Sequence, residues 1–126
     1  MDLYREDILE HYKHPNNFGE LADADATIKS LNPQCGDEMI MQVRIEKGKV
    51  RDIRFHGSSC AISRAGASML TEEIKGKTLE EIQAMTDQAH LERFGKDLAP
   101  GRVKCGLLSL ETVRQAIRKA ADKEHE

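Results

Sequence analysis

The sequence predicts an α+β domain in which helices pack on one face of a small antiparallel sheet. Two stretches, 38–46 and 50–56, alternate apolar and polar residues and predict a β-hairpin. Helical periodicity precedes the hairpin at 3–13 and resumes after residue 58. Helix, then strands, then helices is an order typical of α+β domains. A chain of 126 residues needs one core, so we expect a single domain over 1–126.

The first hairpin strand carries the clearest pattern. Met39, Met41, Val43 and Ile45 occupy its alternate positions, so we expect both methionines to pack in the core rather than to bind metal. Lys47-Gly48-Lys49 supplies the turn. A weaker pattern predicts a short strand at 26–31.

The helices are delimited by local signals. Pro15 ends the first helix, because the residue before a proline disfavours the helical conformation. Ser58 or Ser59 is expected to cap the second helix, which Gly76 ends. A capping box, Thr78 with a glutamate three residues later, starts the next helix.

The C-terminal half contains two further helical patterns. A weak one covers 86–94, and a strong apolar stripe at Leu110, Val113, Ile117 and Ala120 follows Cys105. His11, His14 and His90 lack ligand spacing to the cysteines, and we expect them at the surface. His56 is expected at a strand edge or in support of the nearby cysteine.

Composition excludes several classes of protein. Lysine and arginine are scattered among few aromatics, which gives no indication of nucleic-acid binding. No apolar run approaches the ~20 residues of a membrane span, and the first residues resemble no secretory signal. We therefore expect a cytoplasmic protein. Its three cysteines, an odd number, argue against a disulfide framework.

The cysteines lie at the boundaries between predicted elements. Cys35 precedes the hairpin, while Cys60 and Cys105 each open a helix, where the helix dipole favours the thiolate that metals bind. Arg102 and Lys104 favour the same form of Cys105. Three thiolates and a carboxylate, Asp37, supply four ligands, the number that a zinc ion or a [2Fe–2S] cluster requires.

Asp37 gives this ligand set its character. Gly36 lets the backbone bend so that Cys35 and Asp37 face one centre. A carboxylate is a harder ligand than a thiolate and binds soft metals less well. The bond to the fourth ligand, Asp37, is therefore weak, which suits a metal centre that is transferred to another protein.

Cysteine spacing alone leaves an alternative open. Three buried structural cysteines that bind no metal would account for the spacing equally well. A zinc ribbon is not favoured because no C-x-x-C knuckle is present, and a cysteine hydrolase lacks a histidine placed to act as its base.

The motifs around the cysteines resemble one family. They are Tyr12–Asn17, Asn32–Asp37, Phe55–Ser63, Lys75–Thr78 and Arg102–Cys105. In this order and combination they are similar to the U-type iron–sulfur scaffolds, that is IscU, SufU and the N-terminal domain of NifU.

The resemblance implies a SufE/NifU-like fold with a three-stranded antiparallel sheet. It implies a non-enzymatic scaffold that builds a [2Fe–2S] cluster with sulfur from a cysteine desulfurase and passes it to apo acceptor proteins. Cys35, Asp37, Cys60 and Cys105 would be the ligands, with Asp37 controlling release. Cys105 is the candidate for the first persulfide acceptor. A second copy of the chain could share a cluster.

The sequence departs from both branches of the family. Lys104 stands where the IscU branch has a histidine, and Leu98–Lys104 matches poorly the Leu-Pro-Pro-Val-Lys motif that recruits a DnaK-type chaperone. Lys104 resembles SufU, but the extra SufU segment between the second and third cysteines is missing. The alternative is therefore a SufU-type zinc-dependent sulfurtransferase that accepts persulfide sulfur and stimulates a desulfurase. A structural zinc or no metal remains a third hypothesis.

Overall fold

The computed structural model of the chain describes residues 6–33, 36–95, 98 and 100–124. Its helices and strands are α1 (Glu6–Lys13), β1 (Ala26–Asn32), β2 (Asp37–Glu46), β3 (Lys49–His56), α2 (Ala61–Ile74), α3 (Leu79–Gln83), α4 (Asp87–Leu91) and α5 (Val103–Glu124). Single 3₁₀ turns at Glu92–Phe94 and Pro100–Arg102 lie between α4 and α5.

The three strands form one antiparallel sheet in the order β1-β2-β3, which confirms the predicted sheet. Lys47 and Gly48 both have positive φ, 55° and 74°, as the tightest hairpin turns require. The hairpin register places Met41 opposite Phe55 and Val43 opposite Ile53, so their side chains share one face.

The helices cover that one face, as predicted. Met39, Met41 and Val43 are fully buried there beneath the apolar stripe of α5. On the opposite face, Lys29 and Leu31 of β1 are exposed. Among the helices of the described ranges, none combines the length and the apolar character that a membrane span needs.

The predicted capping box is confirmed at α3. Thr78 Oγ1 accepts from the N–H of Glu81, and the Glu81 carboxylate accepts from the N–H of Thr78. The expected cap of α2 is wrong, because its N-cap is Cys60 rather than Ser58 or Ser59. The acceptor at this helix start comes from another element, the carboxylate of Asp37.

The weak helical pattern at 86–94 forms α4 and a 3₁₀ turn instead of one helix. The last helix begins at Val103, so Cys105 lies in its first turn. A small apolar cluster surrounds this turn: Ile8, Ile62, Ala65, Phe94 and Cys105.

Gly57 makes the approach of α2 to the sheet possible. Its φ is +116°, and a Cβ at this position would lie 2.4 Å from the carbonyl oxygen of Glu38. The next residue, Ser58, accepts a 2.7 Å hydrogen bond from the N–H of Glu38. The chain after β3 therefore runs directly against the start of β2, which brings Cys60 to Asp37.

Candidate metal centre

Three of the predicted ligands converge from three elements. Asp37 is the first residue of β2, Cys60 caps α2 and Cys105 lies in the first turn of α5. One carboxylate oxygen and the two sulfurs all lie within 4.8 Å of one another. The residues are far apart in sequence, so the packing of both helices against the sheet edge creates the group.

Asp37 is buried and held at both oxygens. Its Oδ1 accepts a 2.7 Å hydrogen bond from the backbone N–H of Cys60. Its Oδ2 accepts a 2.8 Å hydrogen bond from the hydroxyl of Ser63 and lies 3.6 Å from Cys60 Sγ. The carboxylate therefore has a fixed orientation towards both thiols.

The two thiols differ in access. Cys60 is half-buried, whereas Cys105 has 0% of its surface exposed and packs among apolar side chains. Asn32 Nδ2 lies 3.9 Å from Cys105 Sγ, within donor distance of a sulfur. The Asn32 side chain is itself buried, at the end of β1 opposite Asp37.

Asn32 and Ser63 were not identified as site residues from the sequence. Both stand in motifs that mark the cysteines, Asn32-Pro33-Gln34-Cys35 and Cys60-Ala61-Ile62-Ser63. Ser63 follows Cys60 by three residues at a helix start, which puts the two side chains on one face. That spacing is the signal that could have revealed it.

Cys35, the remaining predicted ligand, lies outside the described residues. Its neighbour Gly36 has φ +70°, the left-handed conformation that the predicted bend before Asp37 requires. The prediction that Cys35 completes the ligand set stays a prediction.

The chemistry of the three described donors fits zinc or iron. Two sulfurs and one carboxylate oxygen are ligands that both metals accept. In a tetrahedral zinc site with Zn–S bonds of about 2.3 Å, two sulfurs lie ~3.8 Å apart. The three donor atoms here lie within 4.8 Å of one another, so binding a single ion would draw them together by up to about 1 Å.

His90 corrects a prediction. The prediction that His90 lies at the surface is wrong, because 0% of its surface is exposed. Its Nε2 lies 3.1 Å from Ser109 Oγ, and its Nδ1 accepts a 3.1 Å hydrogen bond from Arg93 Nε. Burial, reinforced by the charge of Arg93, lowers its pKa to about 4. Because Ser109 follows Cys105 by one turn, His90 braces the helix that carries the thiol.

The other histidines of the described residues differ in their exposure to solvent. His14 is exposed, as predicted. His11 is only partly exposed, because its Nδ1 lies 2.7 Å from Ser68 Oγ on α2. His56 ends β3 opposite Ile40 and is half-buried.

Known proteins resemble this chain over almost its whole length. The family model for the NifU-like N-terminal domain matches residues 3–126. An iron–sulfur cluster assembly scaffold protein, IscU 1 of Archaeoglobus fulgidus, is 35% identical over 115 residues, covering 91% of this chain and 74% of that protein. The zinc-dependent sulfurtransferase SufU of Bacillus subtilis is 34% identical over 134 aligned positions, covering 93% and 90%. Since 134 positions exceed the 126 residues of this chain, SufU has insertions relative to it.

Solved structures share the fold. The crystal structure of FiSufU from Fervidobacterium islandicum AW-1 matches with a TM-score of 0.78 and 30% identity, covering 91% of this chain and 96% of that one. The N-terminal NifU-like protein of Brucella abortus matches with a TM-score of 0.80, covering 96% of both chains. At 22% identity, this second match supports the fold alone.

Proposed function

Since the chain belongs to the family of NifU-like N-terminal domains, we propose that it is a scaffold for building and delivering [2Fe–2S] clusters. The cluster is its cargo, assembled from iron and sulfide and passed to apo acceptor proteins. The observation that carries the proposal is the convergence of Asp37, Cys60 and Cys105 within 4.8 Å. A resident structural centre would favour four thiolates, whereas one hard carboxylate suits a centre that must leave.

Four residues hold the cargo in this proposal. Thiolates come from Cys35, Cys60 and Cys105, and the carboxylate of Asp37 is the exchangeable ligand. Their charges sum to about −4, which exceeds the 2+ of an oxidised cluster core. Lys104, exposed beside Cys105 in the first turn of α5, can offset part of the excess.

A cysteine desulfurase supplies the sulfur. A scaffold thiolate would attack the outer sulfur of the desulfurase's cysteine persulfide, and the desulfurase cysteine would leave as a thiolate. An electron donor must then reduce the transferred sulfur to the sulfide of the cluster. Cys105 is our candidate acceptor because it lies in the first turn of a 22-residue helix. Cys105 is buried while Cys60 is half-buried, so the desulfurase must open the start of α5 to reach it. This proposal places the protein in the cytoplasm, where thiols stay reduced.

A second function is favoured by specific observations. The three described donor atoms lie within 4.8 Å of one another, so a small inward shift would bring them onto one ion. Lys104, which cannot replace a histidine ligand, resembles the SufU branch at this position. The chain would then be a zinc-dependent sulfurtransferase like its Bacillus subtilis relative. When bound, zinc would keep the thiols deprotonated, and the same four residues would hold it.

One experiment separates these functions. The protein is purified without oxygen and supplied with ferrous iron, cysteine, a cysteine desulfurase and a thiol reductant that converts persulfide sulfur to sulfide. The scaffold proposal expects the visible absorption of a [2Fe–2S] cluster and its transfer to an apo-ferredoxin. One tightly bound zinc, no chromophore and a faster desulfurase would instead establish the sulfurtransferase.

A further inference from the structure

The hydroxyl of Ser63 contacts all three described ligand residues. Its Oγ lies 2.8 Å from Asp37 Oδ2, 3.5 Å from Cys60 Sγ and 3.0 Å from the carbonyl oxygen of Cys105. Ser63 has 0% of its surface exposed and stands in the first turn of α2. A polar side chain buried this completely is held by its hydrogen bonds, and here they all belong to the candidate centre.

A hydroxyl has one proton to donate, and two oxygens accept it here. The carbonyl of Cys105 lies inside α5, where the N–H four residues later also donates to it. Asp37 Oδ2 has two contacts among the described residues, the hydroxyl of Ser63 at 2.8 Å and the thiol of Cys60 at 3.6 Å. A metal-bound Cys60 is a thiolate with no proton to donate, so Ser63 is the donor of these two that would remain. Donation to the carboxylate is also the stronger bond, because the acceptor carries charge.

This bond acts on the metal through Asp37. Cys60 N–H already occupies Oδ1 at 2.7 Å, so with Ser63 both carboxylate oxygens receive a donor. A carboxylate oxygen has two lone pairs, so Oδ2 can accept this hydrogen bond and bind a metal at the same time. The hydroxyl and the metal then compete for the electron density of one oxygen, which weakens the metal–oxygen bond. We propose that Ser63 is a positioning residue that keeps Asp37 a weakly bound, exchangeable ligand. The inference rests on the proposed function and names the side chain that controls release.

The test uses zinc release from the full-length protein to a chromogenic chelator. Ser63→Ala removes the competing donor while Cys60 N–H still orients the carboxylate. We expect zinc to leave about tenfold more slowly, the equivalent of one hydrogen bond to a charged group. Ser68→Ala is the matched control: this serine is equally buried on the same helix, but its hydroxyl contacts His11 and Asn16, and the release rate should stay that of the parent protein.

A second background shows whether the effect passes through Asp37. In Asp37→Ala protein, adding Ser63→Ala should leave the release rate unchanged, whereas a general loosening of the site would still alter it. The visible bands of a bound cobalt ion should shift in Ser63→Ala and stay unshifted in Ser68→Ala.

If Ser63→Ala does not fold, Ser63→Thr and Ser63→Val form a pair of equal shape that differ in the hydroxyl, and the valine protein should release zinc more slowly. Release from Ser63→Ala as fast as or faster than from the parent protein, or no difference within the pair, overturns the role of Ser63 alone. A parent protein that binds neither zinc nor cobalt also overturns the role of Ser63 at a metal-bound Asp37. Failure of the proposed function shows separately, as the absence of a [2Fe–2S] chromophore in the reconstitution with a cysteine desulfurase.

Discussion

The backbone N–H of Cys60 donates a 2.7 Å hydrogen bond to Oδ1 of Asp37, so one candidate ligand caps the helix that the other begins. A metal bound at Asp37 would therefore be connected to the local fold. A carboxylate near a helix N-terminus is stabilised by the helix dipole, and the helix gains the acceptor that its own N-cap side chain does not provide.

Substitution of Asp37 should therefore have two separable effects. Asp37→Ala removes both the cap and the weak ligand. We expect a loss of about 1 kcal/mol in the free energy of unfolding, as for other N-cap acceptors. We also expect slower transfer of a bound cluster, because release must then begin at a stronger iron–thiolate bond.

Asp37→Asn is the matched control, since its amide oxygen can keep the cap without the charge. It should unfold close to the parent protein in urea and still transfer its cluster slowly to an apo-ferredoxin. Transfer by Asp37→Ala at the parent rate would remove Asp37 from the release step.

Gly57 should be intolerant of a side chain. In Gly57→Ala the new Cβ would lie 2.4 Å from the Glu38 carbonyl oxygen. The chain after β3 must then move away from the start of β2, which separates Cys60 from Asp37. Gly76→Ala is the control, with φ +86° but nothing within 4 Å of the new Cβ. Both variants strain the backbone by roughly 1–2 kcal/mol, and only Gly57→Ala adds the clash.

We expect a lower midpoint of thermal unfolding for Gly57→Ala than for Gly76→Ala, and weaker zinc binding in Gly57→Ala alone. Equal unfolding midpoints and equal zinc affinities would mean that this close approach does not set the geometry of the centre.

His90 should make the protein sensitive to acid. The pKa of His90 is about 4 in the folded protein, while a histidine in an unfolded chain titrates near 6.5. Between pH 4 and 6.5 the imidazole is therefore protonated in the unfolded chain and neutral in the folded protein. Stability is then fully present above about pH 6.5 and falls as the pH is lowered to about 4, by up to roughly 3 kcal/mol.

Urea unfolding between pH 4.5 and 7.5 measures this slope. His90→Gln should flatten it, and His14→Gln, at an exposed position, should leave it in place. An unchanged slope in His90→Gln would assign the acid sensitivity to other groups.

The acceptor of sulfur can be located by mass spectrometry. After reaction with a cysteine desulfurase and cysteine, we expect one additional sulfur atom on the peptide that contains Cys105. Cys60→Ser should retain this adduct and Cys105→Ser should lose it. An adduct that depends on Cys60 instead would move the acceptor to the more exposed thiol.

Local patterns predicted much of the fold because they depend on neighbours in the chain. Alternation fixed the hairpin strands, and the capping box at Thr78 and Glu81 is made by two residues of one turn. Prediction failed where a distant residue supplied the interaction. The cap of α2 comes from Asp37, and His90 is buried because Ser109 and Arg93 satisfy its ring nitrogens.

The sequence by itself determined which residues are the candidate ligands, because motif and spacing are properties of the chain. Only the tertiary structure decided how the candidate ligands are arranged in space. It brings Asp37, Cys60 and Cys105 together, buries one thiol more than the other and surrounds the carboxylate with Cys60 N–H and Ser63. These contacts join residues separated by more than twenty positions, and they exist because Gly57 lets α2 approach the start of β2 while α5 packs over the sheet.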